Sequence, residues 1–299
     1  MTTDASLAAK SSSARPANTR PAGVVRSAVR MWRTRIGLAL VALLIAVAFI
    51  GPSIAPFGEQ KFVAAPFTRS VKGTHFGTDY FGQDVWSRFL FGGRSILVLS
   101  ALATALALVA GVAIGLTAAY NRGRLDDLLM RLMDTSLAFP QLLMALVALT
   151  TLGPRQWLIV LIVGFTTTPR IARITRGAAV PVVERDFIGA AEALGESRWR
   201  ILWSELLPNV SGPLLVEANL RLTYSIGLIA SLGFLGFATK VNAADWGMMV
   251  NENRAALVTQ PWGTVLPALA IALLTVGTGL IADGLSRATA GIDRAKGDQ

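Results

Sequence analysis

Little in this chain could make or break a bond. Its one histidine, His75, stands beside Phe76 with no nucleophile paired to it, cysteine is absent, and the 18 acidic residues are scattered. One histidine and no thiolate exclude a multi-histidine or cysteine metal site within the chain, and His75 reads as structural. The phosphate-cradling pattern G-x-x-x-x-G-K-[ST] does not occur, nor does any Gly-Lys dipeptide, so the chain carries no ATP site of its own.

Two features carry more. Glu217 and Arg221 lie four apart in an apolar stretch and can pair on one helix face. Charges in such surroundings face an interior or a cavity, so they are either a structural pair or part of a pathway lining. The second feature is the polar stretch 183–208, flanked by apolar runs. Helix formers from Val183 to Leu194 put Phe187, Ala190, Ala191 and Leu194 on one face. Gly195 suits the left-handed residue that ends a helix. Arg198 to Leu207 predicts a second short helix, and Pro208 marks where the next element begins. The small Ala190 and Ala191 would let a partner's backbone approach closely; the plain alternative is an amphipathic connector.

The elements that position these residues are membrane spans. Mean hydropathy is +0.54; 53% of the 299 residues are hydrophobic and 15% charged, against roughly 25% charged in an ordinary soluble domain. The apolar runs predict six helices: about 36–55, 95–119, 128–152, 157–174, 213–237 and 264–282. Asp134 and Pro140 interrupt the third, and Thr166-Thr167-Thr168-Pro169 the fourth; broken backbone is tolerated there when it is buried or lines a cavity. The first run lacks a small-residue cleavage site and reads as an uncleaved span.

The formal charge is +10, but the basic residues sit at the ends of apolar runs, which is membrane topology rather than nucleic-acid binding. With the N-terminus inside, 19 of the 28 Lys and Arg fall on inside segments and 7 on outside ones. Both termini and the 183–208 loop are therefore expected in the cytoplasm. The expected organisation is a disordered tail over 1–35, a first span with an outer subdomain over 36–93, a transmembrane domain over 94–287 and a C-terminal tail over 288–299. Trp246 and Trp262, in the outer segment 238–263, read as interface anchors.

The chain resembles the C-type permease subunit of the peptide/nickel (oligopeptide and dipeptide) ABC importers from about Ile36 to Asp293. The motifs that carry the resemblance occur in the family's order: Phe76-Gly77-Thr78-Asp79, Gly82-Gln83-Asp84-Val85, Ser87-Arg88 and Gly92-Gly93-Arg94; then Leu137-Ala138-Phe139-Pro140; Pro169, Ala172-Arg173 and Arg176-Gly177; Ser231-Leu232-Gly233-Phe234-Leu235-Gly236; and Asp283-Gly284-Leu285. Phe187 to Pro208 resembles the family's "EAA" loop. Here the usual Glu falls at Gly189 and a later Ile at Glu205, and no ALDPR ending comes after Arg287.

The resemblance implies an all-α, six-span, type I importer permease that is no enzyme. It implies a heterodimer with a second permease, two separate ATP-binding cassette subunits that hold ATP and Mg, an extracytoplasmic solute-binding protein, and the lipid bilayer; this chain itself would bind no cofactor and no metal. Phe187, Gly189, Ala190, Ala191, Gly195, Leu207 and Pro208 would form the ATPase-coupling loop. Gly77, Thr78, Asp79, Gly82, Asp84 and Arg88 would form an outer-loop motif, with Thr78 and Asn242 facing the docked binding protein. Short peptides are the expected cargo, with nickel chelates, glutathione or other small solutes as alternatives within the family. A secondary transporter would usually show an internal repeat of apolar segments, which is not found here.

Overall fold

The computed structural model describes residues 21–237 and 243–297. Among the described residues its regular elements are all helices, apart from two isolated bridges in the segment between Ile54 and Val85, Phe62 with Gln83 and Thr78 with Asp84. The helices are α1 (Pro21–Arg30), α2 (Trp32–Ile54), α3 (Val85–Asn121), α4 (Gly123–Leu137), α5 (Gln141–Leu152), α6 (Gln156–Val183), α7 (Asp186–Ala193), α8 (Arg198–Arg200), α9 (Leu207–Phe234), α10 (Trp246–Asn253) and α11 (Trp262–Gly297).

Among the described residues, four helices are long and apolar enough to cross a membrane: α2, α3, α6 and α11 through Ala290. The pair α4–α5, bent by 79° at a short break, makes a fifth span if taken as one. Pro140 stands immediately before α5 and cannot donate to the ladder of α4. The sixth expected span is the 28-residue α9, long enough but made too polar for that criterion by Glu217, Asn219 and Arg221.

The fourth expected span is not interrupted. Helix α6 runs through Pro169, and the three threonines donate back into the helix: Thr166 to the Ile162 carbonyl at 2.9 Å, Thr167 to Val163 at 2.6 Å and Thr168 to Gly164 at 2.8 Å. Threonine hydroxyls that bond to the i−4 carbonyl occupy their donors inside the helix. The tails also depart from expectation. Residues 21–30 are helical, with Val24 and Ala28 packed against Ala288, and α11 continues to Gly297. The rest of the tail, 1–20, lies outside the described residues.

Helices α3 and α6 form the centre of the bundle. A Cβ placed on Gly111 would stand 2.7 Å from Ile171, and one on Gly115 would stand 2.5 Å from the Ala172 carbonyl oxygen. Small residues four apart let two helices approach to backbone distance, and in lipid this close packing is what holds helices together. At 37 residues α3 is about 55 Å long, and one apolar cluster sits near each end. Phe89, Ile96, Trp246, Met249 and Leu274 belong to the first; Leu116, Ile171, Ile188, Ile201 and Leu206 belong to the second.

Candidate functional site

At the C-terminal end of α3 the chain leaves α6 and builds the helix pair foreseen at 183–208. Helix α7 ends in the geometry expected of Gly195. Its φ is +77°, its N–H donates to the Glu192 carbonyl at 3.0 Å, and the Glu196 N–H donates to Ala191 at 3.1 Å. That pair of bonds satisfies carbonyls the helix end would otherwise leave open. Ser197 caps the start of α8 by accepting from the Arg200 N–H.

The second half of the pair differs from expectation. Arg198 to Phe234 is one continuous helical run, with a π segment at Ile201–Leu206 between α8 and α9. Pro208 lies in the first turn of α9, where the next element was expected to begin, but the second short helix runs into it without interruption. Before it, Leu207 donates to the carbonyl five residues back, Leu202. The wider π turn changes register just where proline removes a donor.

One side chain roots α7 in the bundle. Ile188 is 2% exposed, against Val182, Ile201 and Leu206, with Ala191 partly buried beside it. Phe187, Gly189, Ala190 and Leu194 are exposed. Leu194 at 83%, Trp199 at 68% and Trp203 at 43% add a broad apolar surface that nothing among the described residues covers. The periodicity of α7 thus picked out mainly its outward face and missed Ile188. A Cβ on Gly189 would meet nothing, so the glycine answers no packing need.

At the opposite end the outer-loop motif locks the 57–84 connector to the bundle. Asp84 caps α3, accepting from the Ser87 N–H at 2.8 Å and the Ser87 hydroxyl at 2.6 Å. Asp79 accepts from the Phe81 and Gln83 N–H groups at 2.9 and 2.8 Å. Arg88, fully buried, pairs with Asp79 and, at 2.9 Å, with Glu252 of α10. A buried charge is costly unless paired, and Arg88 has two carboxylates. Burial pushes the Glu252 carboxyl above the usual glutamate range, against the opposing pull of Arg88. Gly77 and Gly82 hold φ of +72° and +71°, where a side chain would also strike neighbouring carbonyls.

Two expectations fail here. Thr78 is fully buried, its hydroxyl donating to Ala65 at 2.7 Å and accepting from the Thr68 N–H at 2.9 Å, so it faces no partner; Asn242 lies outside the described residues. Trp246 is no interface anchor but a fully buried core residue, whereas Trp262 is 44% exposed. His75 is exposed. Sequence reasoning also missed Glu252 and Trp246 as partners of the motif, since nothing local marks a contact across more than 150 residues.

Glu217 and Arg221 do meet. The carboxylate and guanidinium are 2.7 Å apart on α9, both nearly buried, and Arg221 lies over the Tyr224 ring at 4.7 Å. The motif arginines of α6 pair with α4: Arg176 with Asp126 at 2.5 Å, and Arg173 with Asp134 at 3.1 Å.

A family model described as the binding-protein-dependent transport system inner membrane component matches residues 111–290, from mid-α3 through the exposed helix pair and most of α11. The chain belongs to that family. This permease is 36% identical over 267 residues to a protein named as a peptide transport system permease in Brucella suis biovar 1, covering 88% of this chain and 90% of that one. It is 31% identical to a dipeptide transport system permease of Alkalihalophilus pseudofirmus, covering 84% and 83%. It is 32% identical to a glutathione transport system permease of Pectobacterium atrosepticum, covering 82% of each. Its fold is similar to that of a chain of the inward-facing MetNI methionine ABC transporter, with a TM-score of 0.53 at 16% identity over 69% of this chain and 96% of that one. The protein is therefore a membrane-embedded permease subunit of the ABC-importer type. Its family membership sets the secondary-transporter alternative aside.

Proposed function

We propose that this permease forms half of the translocation pathway of an ATP-driven importer of short peptides. A second permease supplies the other half, two separate ATPase subunits hold ATP and Mg, and an extracytoplasmic binding protein delivers cargo. Both termini and the α7–α8 pair face the cytoplasm, in keeping with the excess of Lys and Arg on those segments. The observation that carries the reading is the α7–α8 pair itself. It is rooted by one buried residue, Ile188, turned by Gly195, and presents Phe187, Leu194 and Trp199 outward, with Trp203 of the following π segment beside them in sequence. A uniformly polar connector would have no use for that surface; a docking ATPase would cover it.

Cycling rests on differential affinity. ATP draws the two ATPases together, the helix pair moves with them, and the bundle opens toward the other side; ATP can shift that equilibrium only by binding one state better than the other. Peptide cargo is favoured by the relatives named for peptide, dipeptide and glutathione transport, since all three solutes are chains of amide-linked amino acids.

The test is Gly195→Val. A β-branched residue at positive φ costs on the order of 1–3 kcal/mol, and a Cβ there meets no neighbour, so the strain stays within the turn. The variant should insert and pair with the second permease, lose capture of the ATPases in a pull-down, and abolish peptide uptake. Normal uptake by this variant, or by Ala190→Asp with Ala191→Asp, would overturn the docking role.

A further inference from the structure

Helix α4 is held to the bundle in an unusual way. Its one buried residue is not apolar but Asp126. Leu125, Leu128 and Leu132 are exposed at 42%, 56% and 52%. The helix runs opposite to the second half of α6, and three ion pairs join the two stretches: Arg122, just before α4, with Glu184, just after α6, at 3.2 Å; Asp126 with Arg176; and Asp134 with Arg173 at 3.1 Å. The first and third have both side chains about half or more exposed, and such pairs contribute little in water. The middle pair differs. Arg176 donates from Nε at 2.5 Å and from a terminal nitrogen at 2.6 Å to the two Asp126 oxygens, and the Asp126 side chain is 10% exposed. Two parallel charge-assisted bonds from one planar fork fix orientation as well as distance.

The pair also stands at a mechanical junction. Arg176 is in the last third of α6, which passes through Glu184 and Arg185 into α7. Asp126 is in the first turn of α4, which leads through the 79° bend into α5. Beside the pair is a cavity of about 290 Å³ lined by Asp126, Asp127, Met130, Asp134, Arg173 and Arg176, so α4 is not wedged in place by close packing.

We propose that Asp126 and Arg176 are positioning residues that make the bent α4–α5 element follow α6 when the α7–α8 pair moves. The bidentate bond is the drive link; without it α6 moves and α4 lags. This rests on the docking role of the α7–α8 pair proposed above.

The experiment uses the assembled importer in proteoliposomes and reads three things: co-purification of the ATPases, ATP hydrolysis, and peptide uptake. Asp126→Asn and Arg176→Gln should keep co-purification and hydrolysis while uptake falls at least about tenfold, the scale of one lost hydrogen bond to a charged group. Arg176→Lys, which keeps the charge but not the fork, should also lower uptake per ATP hydrolysed. The charge swap of Asp126→Arg with Arg176→Asp should recover much of it, and Asp134→Asn, in the exposed pair, should stay within about twofold of wild type. Uptake retained in Asp126→Asn and Arg176→Lys would overturn the proposal. So would uptake that falls only in proportion to the amount of assembled importer, which is the signature of a merely structural pair. Failure of the wild-type chain to capture ATPases would instead overturn the docking role, leaving the two failures distinguishable.

Discussion

The indole of Trp246 lies stacked on the ring of Phe89, centroids 5.6 Å apart, and its Nε1–H donates to the Phe89 carbonyl at 2.9 Å. Gly93 makes room for it, since a Cβ there would stand 2.5 Å from Trp246 Cζ2. The contact seats α10 on α3 beside the Arg88 network. Trp246→Ala should destabilise the chain by about 3–5 kcal/mol, read as a lower denaturation midpoint in detergent, with no selective loss of ATPase capture. A midpoint within error of wild type would show that α10 is seated by something else.

The helix pair should separate into root and face. Ile188→Ala removes a buried side chain and should cost about 2–5 kcal/mol. Leu194→Ala and Trp199→Ala, both at exposed positions, should leave stability within about 0.5 kcal/mol while weakening ATPase capture. Equal effects of the two classes on both measurements would contradict this division.

Gly189 sits inside α7 with open space around it. Gly189→Glu should therefore be tolerated, and should firm the helix by up to about 1 kcal/mol through propensity alone. Circular dichroism and ATPase pull-down of the variant check it; capture lost with the helical signal intact would mean the position needs glycine for close approach to its partner.

Glu252 gives the outer network a pH dependence. A carboxyl raised by burial binds its proton more readily in the folded than in the unfolded chain. Its contribution to stability is thus fullest below the ordinary glutamate range and is lost as pH rises through the raised value. As pH rises above the ordinary glutamate value of about 4.3, the midpoint difference should shift progressively in favour of Glu252→Gln over wild type. A constant difference above that value would mean Glu252 does not titrate there.

Topology and outer docking can be tested together. Reporters fused after Gly73 and after Glu196 should report opposite sides of the membrane. Crosslinkers at Tyr80 and Val258, exposed at 52% and 89%, should capture the binding protein during turnover, whereas one at buried Thr78 should not. Same-side reporters would refute the orientation, and transport without any crosslink at the two exposed sites would refute the docking face.

The amino-acid order alone determined what local physics can encode. Apolar run length marked the spans, because each must satisfy its own backbone in lipid. Pro140 marked the bend before α5, and Gly195 marked the left-handed turn, because few residues adopt that backbone conformation. The 3.6 period placed Phe187, Ala190 and Leu194 together on α7, but it could not say which face was the root, and Ile188 proved to be it. Thr166-Thr167-Thr168-Pro169 looked like a break, yet hydroxyls that bond inside the helix and packing against Gly111 and Gly115 keep α6 continuous. Tertiary structure alone decided that Trp246 is core rather than interface, that Thr78 is buried, and that Arg88 and Arg176 each find a carboxylate on another element. Such pairings join residues 50 to 164 apart. Nothing in the local pattern records them, because a charge's partner is chosen by where the helices pack and not by its neighbours in the chain.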